Sequence, residues 1–176
     1  FIQDYLENIG SQSDFTPIAG TTRINTKIKV NAQEETSFDA AGPDLSDAEI
    51  QAFLSKFDDL QSDDIVVFAG TIPKSLGEDF YQVLIEKVKA RGAQFAIDVD
   101  GQKLLKTLIY EPLVIKPNSE ELEEIYSVKF KSKEDIIPYG QKLLAEGAQN
   151  VMISMAGDGA LLFTGKETYF AAPIKG

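Results

Sequence analysis

The chain has 176 residues, with 17 Lys+Arg against 28 Asp+Glu for a formal net charge of −11, and it contains no Cys, His or Trp. These counts exclude disulfides, thiolate or histidine metal sites, and catalysis by a Cys nucleophile or a His base. The chain is acidic and has no Lys/Arg cluster, no basic leader and no apolar run near the roughly 20 residues of a membrane span. These features predict a folded cytoplasmic protein without nucleic-acid or membrane partners.

The first predicted elements are the end of a helix and a β-hairpin. Tyr5, Leu6 and Ile9 recur at helical spacing before a glycine, a residue that readily ends a helix. Residues 21–30 alternate with period two, and a second extended segment follows at 35–40. We expect these two segments to form a small β flap, with Arg23, Asn25, Lys27 and Lys29 on its polar face.

After residue 44 the pattern changes to alternating helices and strands. A capping box at Ser46 and Glu49 predicts the start of a helix. The apolar run 65–69 is typical of a strand covered on both faces of a parallel sheet. Further strands are predicted at 95–99, 113–115 and 151–154, joined by helices, and an antiparallel hairpin at 160–171. This order predicts an α/β fold with a mostly parallel sheet.

The residues directly after each strand are the candidates for function, because open parallel sheets bind ligands beyond the carboxyl ends of their strands. The four predicted strand ends are Gly70-Thr71, Asp98-Val99-Asp100-Gly101, Lys116-Pro117-Asn118, and Ser154 with the turn Gly157-Asp158-Gly159. Three of them place a polar or charged group where an α/β enzyme keeps its site. Strand ends are polar in many proteins, so this convergence indicates a site without identifying its chemistry.

The segment from Lys116 to Glu121 has two interpretations that can both hold. Asn118 and Glu121 match the N-cap and N3 positions of a capping box, which is a sufficient structural role. Alternatively, Lys116 binds an anion, and Glu121 together with Asp98 influences Mg²⁺, which accepts one or two carboxylates along with waters and phosphate oxygens.

Two further features have competing interpretations. The glycines after Ser154 would let backbone N–H groups approach a phosphate, yet the segment matches neither the P-loop nor the dinucleotide fingerprint, and a simple tight turn explains it as well. The cations of the β flap are in most proteins merely a solvated face. Arg23, however, could bind a phosphate group through two parallel hydrogen bonds.

Taken together, the ordered motifs resemble the phosphofructokinase-B branch of the ribokinase superfamily. They are T-R-I-N at 22–25, A-G-P at 41–43, G-T-I-P-K at 70–74, the strand end at Asp98, K-P-N-S-E-E at 116–121, and the turn after Ser154. The resemblance implies a ribokinase-like, Rossmann-like sheet with helices on both faces and a small β lid that often contributes to a homodimer. It implies phosphorylation of a sugar phosphate by ATP with Mg²⁺, most closely of fructose 1-phosphate or tagatose 6-phosphate.

The resemblance also implies roles for single residues. Arg23 would bind the phosphate already on the substrate, and Thr71 would lie beside the sugar. The nucleotide would be contacted by Lys116, Asn118, Ser154, Gly157 and Gly159, and Mg²⁺ by Glu121 and Asp98. Ala156 stands where the family usually has glycine, at a position where positive φ would be needed.

Two parts of the family pattern have no match in this sequence. These are the N-terminal strands and the Gly-Ala-Gly-Asp element that carries the general base. We therefore expect residues 1–176 to form a partial kinase domain, with the lid at 21–40, the nucleotide-binding α/β part at 44–176 and no catalytic residue of its own. Such an isolated chain should be inactive. The alternative is a non-catalytic module that binds a nucleotide or sugar phosphate.

Overall fold

The computed structural model describes residues 2–30, 35–77, 79–99 and 101–173. Asp100 and the middle of the predicted flap, 31–34, lie outside these ranges. Two compact units are present, one formed by 1–59 with 73–77 and the other by 60–72 with 78–176. The helices are α1 (Ile2–Asn8), α2 (Asp47–Ser55), α3 (Phe80–Ala90), α4 (Gly101–Thr107), α5 (Ser119–Tyr126) and α6 (Lys133–Ala145). The strands are β1 (Thr26–Lys29), β2 (Glu35–Phe38), β3 (Ile65–Ala69), β4 (Gln94–Asp98), β5 (Val114–Ile115), β6 (Asn150–Ser154), β7 (Ala160–Thr164) and β8 (Thr168–Ala171).

The first unit contains the predicted hairpin. Strands β1 and β2 pair antiparallel, with Thr26 opposite Phe38 and Ile28 opposite Thr36. Because side chains alternate along a strand, these residues share one face of the hairpin. Ile28 and Phe38 remain 49% and 57% exposed on that face. The flap is thus confirmed as a two-stranded sheet with one partly apolar, uncovered face.

The capping box at the start of α2 is also confirmed in this unit. The Ser46 hydroxyl accepts a hydrogen bond from the Glu49 backbone N–H, and the Glu49 carboxylate accepts one from the Ser46 backbone N–H. Glu49 additionally accepts a hydrogen bond from the backbone N–H of Ala19 at 2.6 Å. One carboxylate therefore caps the helix and anchors the preceding loop.

The second unit is built on a six-stranded sheet in the order β3-β4-β5-β6-β7-β8. The first four strands are parallel, whereas β6-β7 and β7-β8 are antiparallel. This is the predicted arrangement. The length of each connection determines whether the two strands it joins are parallel or antiparallel. A helix joins each parallel pair, while short turns join the antiparallel strands.

One row of side chains crosses the sheet and forms the centre of the core. Its members pair in register across five strands, and each is buried: Phe68, Ile97, Ile115, Val151 and Phe163. Helix α3 packs on this face, since the Tyr81 and Phe68 ring centroids lie 6.2 Å apart. Helix α6 packs there as well, because Gly140 lies so close to the Phe163 ring that a Cβ would overlap it.

The opposite face is less covered than the apolar pattern of β3 predicted. Ile65 is 55% exposed and Val67 is 65% exposed. Strand β3 lies at the edge of the sheet, and these two side chains alternate with Phe68, which faces α3. On β6 and β7, Met152 and its partner Leu162 are exposed too. No helix in the described part of the chain is both long enough and apolar enough to cross a bilayer.

Candidate functional site

Polar residues converge at the carboxyl edge of the parallel strands. Ala96 pairs with Val114, so Asp98 and Lys116, each two positions further along, fall on the same face. An isolated parallel bridge pairs Asn118 with Ser154. The Ser154 N–H also donates to the Pro117 carbonyl at 3.2 Å. Four of the residues singled out in the sequence are therefore brought to one edge of the sheet.

Asp98 and Lys116 form an ion pair at this edge. The distance from Lys116 Nζ to Asp98 Oδ2 is 3.0 Å, and both side chains are 40% exposed. The Lys116 backbone N–H donates to the Ile97 carbonyl at 3.1 Å, so the β4–β5 pairing continues to the residue that carries the ammonium. The pair is rigidly based in the sheet, yet it remains open to a ligand.

Asn118 and Glu121 form the predicted capping box of α5. The Asn118 side-chain oxygen accepts from the Glu121 N–H at 2.8 Å, and the Glu121 carboxylate accepts from the Asn118 N–H at 2.8 Å. The structural interpretation of this motif is confirmed. The cap fixes both polar groups beside Lys116, and the interpretation as phosphate and metal contacts stays a prediction.

The turn after β6 closes on itself through backbone hydrogen bonds. Met155 N–H donates to the Gly159 carbonyl at 2.8 Å, and Asp158 N–H donates to the Met155 carbonyl at 2.9 Å. Ala156 has φ 47° and Gly159 has φ 94°, both in the left-handed region. Gly157 lies between them and is exposed. Alanine therefore adopts the backbone conformation for which the sequence motif would prefer glycine.

The end of β3 is held by a buried tyrosine. Gly70 has φ 98°, and its carbonyl accepts a hydrogen bond from the Tyr81 hydroxyl at 2.7 Å. Thr71 follows and is exposed. Because Ala69 pairs with Asp98, the Gly70-Thr71 turn leaves the sheet at the strand next to the ion pair.

Arg23 lies in the other unit, three residues before β1, and its side chain is exposed. The sequence pattern predicts a strand over 21–30, but the pairing begins only at Thr26, so Arg23 and Asn25 lie outside β1. The structure thus places Arg23 on a different unit from the other predicted site residues.

The polar groups at the sheet edge could hold a divalent cation only if a bound phosphate supplied further oxygen ligands. Among the described residues, no three carboxylates lie close enough together to hold a metal ion. Mg²⁺ commonly takes one or two carboxylates and completes its shell with waters and phosphate oxygens. Asp98 is accessible and is engaged by Lys116 through one oxygen, so it fits as a single protein ligand of a cation that arrives with a phosphate.

Two contacts of this site were not foreseen from the sequence. The Asp98–Lys116 ion pair could have been inferred from opposite charges at equivalent positions of consecutive strands. The Tyr81–Gly70 hydrogen bond had a weaker signal, namely a tyrosine at the start of the helix that follows the Gly70 turn. The ion pair depends on which strands are neighbours in the sheet, whereas the hydrogen bond depends on how α3 packs against the end of β3.

Comparison with known proteins gives a consistent family match. The family model described as pfkB family carbohydrate kinase matches residues 1–176. A 1-phosphofructokinase of Bacillus subtilis is 43% identical over 176 residues, which are the whole of this chain and 57% of that protein. A D-tagatose-1-phosphate kinase of Bacillus licheniformis is 33% identical and is covered to 58% of its length.

Solved structures agree with this match. A candidate phosphofructokinase from Staphylococcus aureus has a TM-score of 0.81 at 34% identity, covering 99% of this chain and 56% of its own. Phosphofructokinase-2 from Escherichia coli, in complex with fructose-6-phosphate, has a TM-score of 0.84 at 22% identity, covering 97% and 57%. The latter similarity shows the common fold alone. The chain spans a little over half the length of these relatives.

Proposed function

The chain belongs to the pfkB family of carbohydrate kinases, and from that premise we propose that the complete protein transfers a phosphoryl group from ATP to a ketohexose 1-phosphate. The preferred substrate is fructose 1-phosphate, which would yield fructose 1,6-bisphosphate. The observation that carries this proposal is the row of polar groups at the carboxyl edge of the sheet, where Lys116 stands next to Asn118 and Ser154.

The names of the relatives support a substrate phosphorylated at carbon 1. The two curated relatives at 43% and 33% identity are named for 1-phosphofructokinase and D-tagatose-1-phosphate kinase activity. Fructose 1-phosphate is therefore proposed first, with the tagatose phosphates as the alternative. Tagatose 6-phosphate, which the motifs also indicated, differs from fructose 1-phosphate and tagatose 1-phosphate in the position of its phosphate.

The proposed nucleotide contacts follow from the geometry of the edge. Lys116 offers an ammonium to the ATP phosphates, and Asn118 and Ser154 flank it across the parallel bridge. Gly157 leaves room for the nucleotide to approach the backbone of the turn, whereas a Cβ at Gly159 would overlap the Ala171 carbonyl oxygen, so Gly159 would contribute through its own backbone. Phosphoryl transfer relies mainly on such positioning and charge stabilisation.

The proposed Mg²⁺ contacts are Asp98 and, through water, Glu121. The cation would neutralise charge on the ATP phosphates when bound. None of the described carboxylates is assigned as the general base, so this chain contributes binding and orientation to the reaction and no catalytic residue. We propose that it forms part of a kinase domain, with the lid at 21–40 and the nucleotide-binding part at 44–176.

Arg23 and Thr71 are the proposed substrate contacts. A guanidinium forms strong bidentate hydrogen bonds with phosphate, and Arg23 is exposed at the base of the hairpin. The uncovered apolar face of the hairpin suits pairing with a second copy, so we propose a homodimer formed through the lid. The place of action is proposed to be the cytoplasm.

Steady-state kinetics of the complete protein test the proposal. Arg23→Ala should raise the KM for fructose 1-phosphate about 10- to 100-fold, the loss expected for a charge-assisted hydrogen bond. The matched control is Arg91→Ala, which removes the only other arginine of the sequence and lies at the end of α3. Lys116→Ala should instead raise the KM for ATP.

The same assay decides between substrates and between function classes. Comparison of fructose 1-phosphate, tagatose 1-phosphate and tagatose 6-phosphate ranks them by kcat/KM. An unchanged KM in Arg23→Ala would contradict the substrate assignment. Nucleotide binding without turnover of any of the three would favour the non-catalytic binding module.

A further inference from the structure

The segment that carries Arg23 is attached to the start of α2. The Glu49 carboxylate accepts a hydrogen bond from the Ala19 backbone N–H through Oε1 at 2.6 Å and one from the Ser46 backbone N–H through Oε2 at 2.7 Å. Hydrogen bonds from the side chain and backbone of Ser46, followed by that from Ala19, lower the pKa of the Glu49 carboxyl, so it remains an ionised acceptor at neutral pH. One carboxylate thus joins the cap of α2 to a residue that lies four positions before Arg23.

Close packing supports the same segment next to this hydrogen bond. A Cβ added to Gly20 would lie 2.3 Å from the Cβ of Pro43, so only glycine fits against this proline without displacement. Pro43 ends the A-G-P motif at 41–43, to which the proposed function assigns no role. The chain is therefore held at two consecutive residues, Ala19 and Gly20, and these contacts lie within the first unit.

The position of Arg23 depends on these contacts, because Arg23 lies outside the helices and strands. Residues 21–25 form an irregular segment, and the Arg23 side chain is exposed. A guanidinium binds phosphate through two parallel N–H groups, so it must present them in one orientation. A group that is held in its binding orientation beforehand loses less conformational freedom when the ligand binds. Fixing the backbone just before Arg23 therefore strengthens a phosphate contact made by its side chain.

We propose that Glu49 is a positioning residue for the sugar phosphate: through Ala19 it holds Arg23 in the orientation that meets the phosphate of the substrate. The inference rests on the proposed function, in which Arg23 binds that phosphate. The contact of Gly20 with Pro43 acts in the same way, which gives the A-G-P motif a role in substrate binding. Glu49 acts through the backbone and needs no contact with the substrate itself.

Steady-state kinetics of the complete protein test this role. Glu49→Ala removes both hydrogen bonds of the carboxylate and should raise the KM for fructose 1-phosphate about three- to tenfold. This rise is smaller than that of Arg23→Ala, because the phosphate contact is loosened and not removed. The KM for ATP should not change. Gly20→Ala, which forces the segment away from Pro43 and leaves the cap of α2 intact, should have the same effect. A general loss of folded protein would lower the apparent kcat and change neither KM.

A matched control is available at the start of α6. The Asp135 carboxylate accepts hydrogen bonds from the backbone N–H of Ser132, at the helix cap, and from that of the preceding Lys131. Asp135→Ala therefore also removes a capping carboxylate that has a second backbone partner. It should leave both KM values unchanged.

The possible outcomes separate this inference from the function on which it rests. If Arg23→Ala raises the KM for fructose 1-phosphate while Glu49→Ala and Gly20→Ala leave it unchanged, the inference is overturned and the proposed function stands. In an Arg23→Ala background, Glu49→Ala should have no further effect on this KM. An equal rise there also overturns the inference, because Glu49 would then act independently of Arg23. If Arg23→Ala itself leaves the KM unchanged, the substrate assignment fails, and the inference fails with it.

Discussion

At the scale of single residues, the turn after β6 contains an unusual backbone conformation. Ala156 has φ 47°, a left-handed conformation in which a Cβ crowds the following carbonyl. It begins the short helical turn that joins Ser154 to Gly159. The hydrogen bonds of the turn hold this conformation in place, and such strain tends to collect at ligand-binding sites.

Replacement of this alanine by glycine should relieve the strain. We expect Ala156→Gly to leave the free energy of unfolding unchanged or to raise it by up to about 1 kcal/mol. The relief of strain is partly offset by the greater freedom of glycine in the unfolded chain. Ala52→Gly, in the interior of α2, is the control and should cost about 1 kcal/mol. Urea denaturation measures both. Equal destabilisation by the two substitutions would contradict the strain at Ala156.

At the scale of elements, carboxylates organise the connection between α5 and α6. Glu123 accepts a hydrogen bond from the Phe130 backbone N–H at 2.7 Å and pairs with Lys129. The hydrogen bond from Lys129, followed by that from Phe130, lowers the pKa of the Glu123 carboxyl. Asp135 likewise accepts from the backbone N–H groups of Lys131 and Ser132, and these bonds lower its pKa.

The lowered pKa of Glu123 predicts how acid affects stability. Its contribution is fully present above the ordinary carboxyl value of 4.5 and is lost as the pH falls through the lower folded pKa. Glu123→Gln should therefore be less stable than the unmodified protein at neutral pH, and this difference should shrink towards about pH 3. Denaturant titrations at both pH values measure it. The control is Glu124→Gln, because Glu124 is the next residue of α5 and its side chain is exposed. A stability difference for Glu123→Gln that does not vary with pH would refute the prediction.

At the scale of the whole molecule, the hairpin of the first unit presents one uncovered apolar face, in addition to the exposed apolar side chains of β3, β6 and β7 in the second unit. Ile28 and Phe38 lie on one face, and Val30 is exposed just beyond β1. A two-stranded hairpin is only marginally stable by itself, so a partner on this face would stabilise it. This is the structural support for the proposed homodimer.

A charge on the apolar face should prevent that dimer. We expect Phe38→Glu to shift the complete protein to a monomer, because a carboxylate would be buried without a partner in the interface. Ser37→Glu places the same charge on the opposite face, beside Lys27, and should leave the assembly unchanged. Sedimentation velocity distinguishes the two states. A dimer that survives Phe38→Glu would place the interface elsewhere.

Local chemistry was readable from the sequence. The capping boxes at Ser46 and Asn118 form as predicted, since each depends on hydrogen bonds between residues three positions apart. The alternation of strands and helices also followed from hydrophobic periodicity. The ordered motifs indicated the family that the comparisons then showed.

Contacts between distant segments needed the folded chain. Strand order and register determine three features of the structure: the Asp98–Lys116 ion pair, the bridge of Asn118 to Ser154 and the exposure of Val67. Hydrophobic periodicity indicates which residues of one strand share a face, but it does not indicate which other strand pairs with it. Local hydrogen bonds and alternation are properties of neighbours in sequence, whereas the ion pair at the candidate site exists only because the sheet brings two separate strands together.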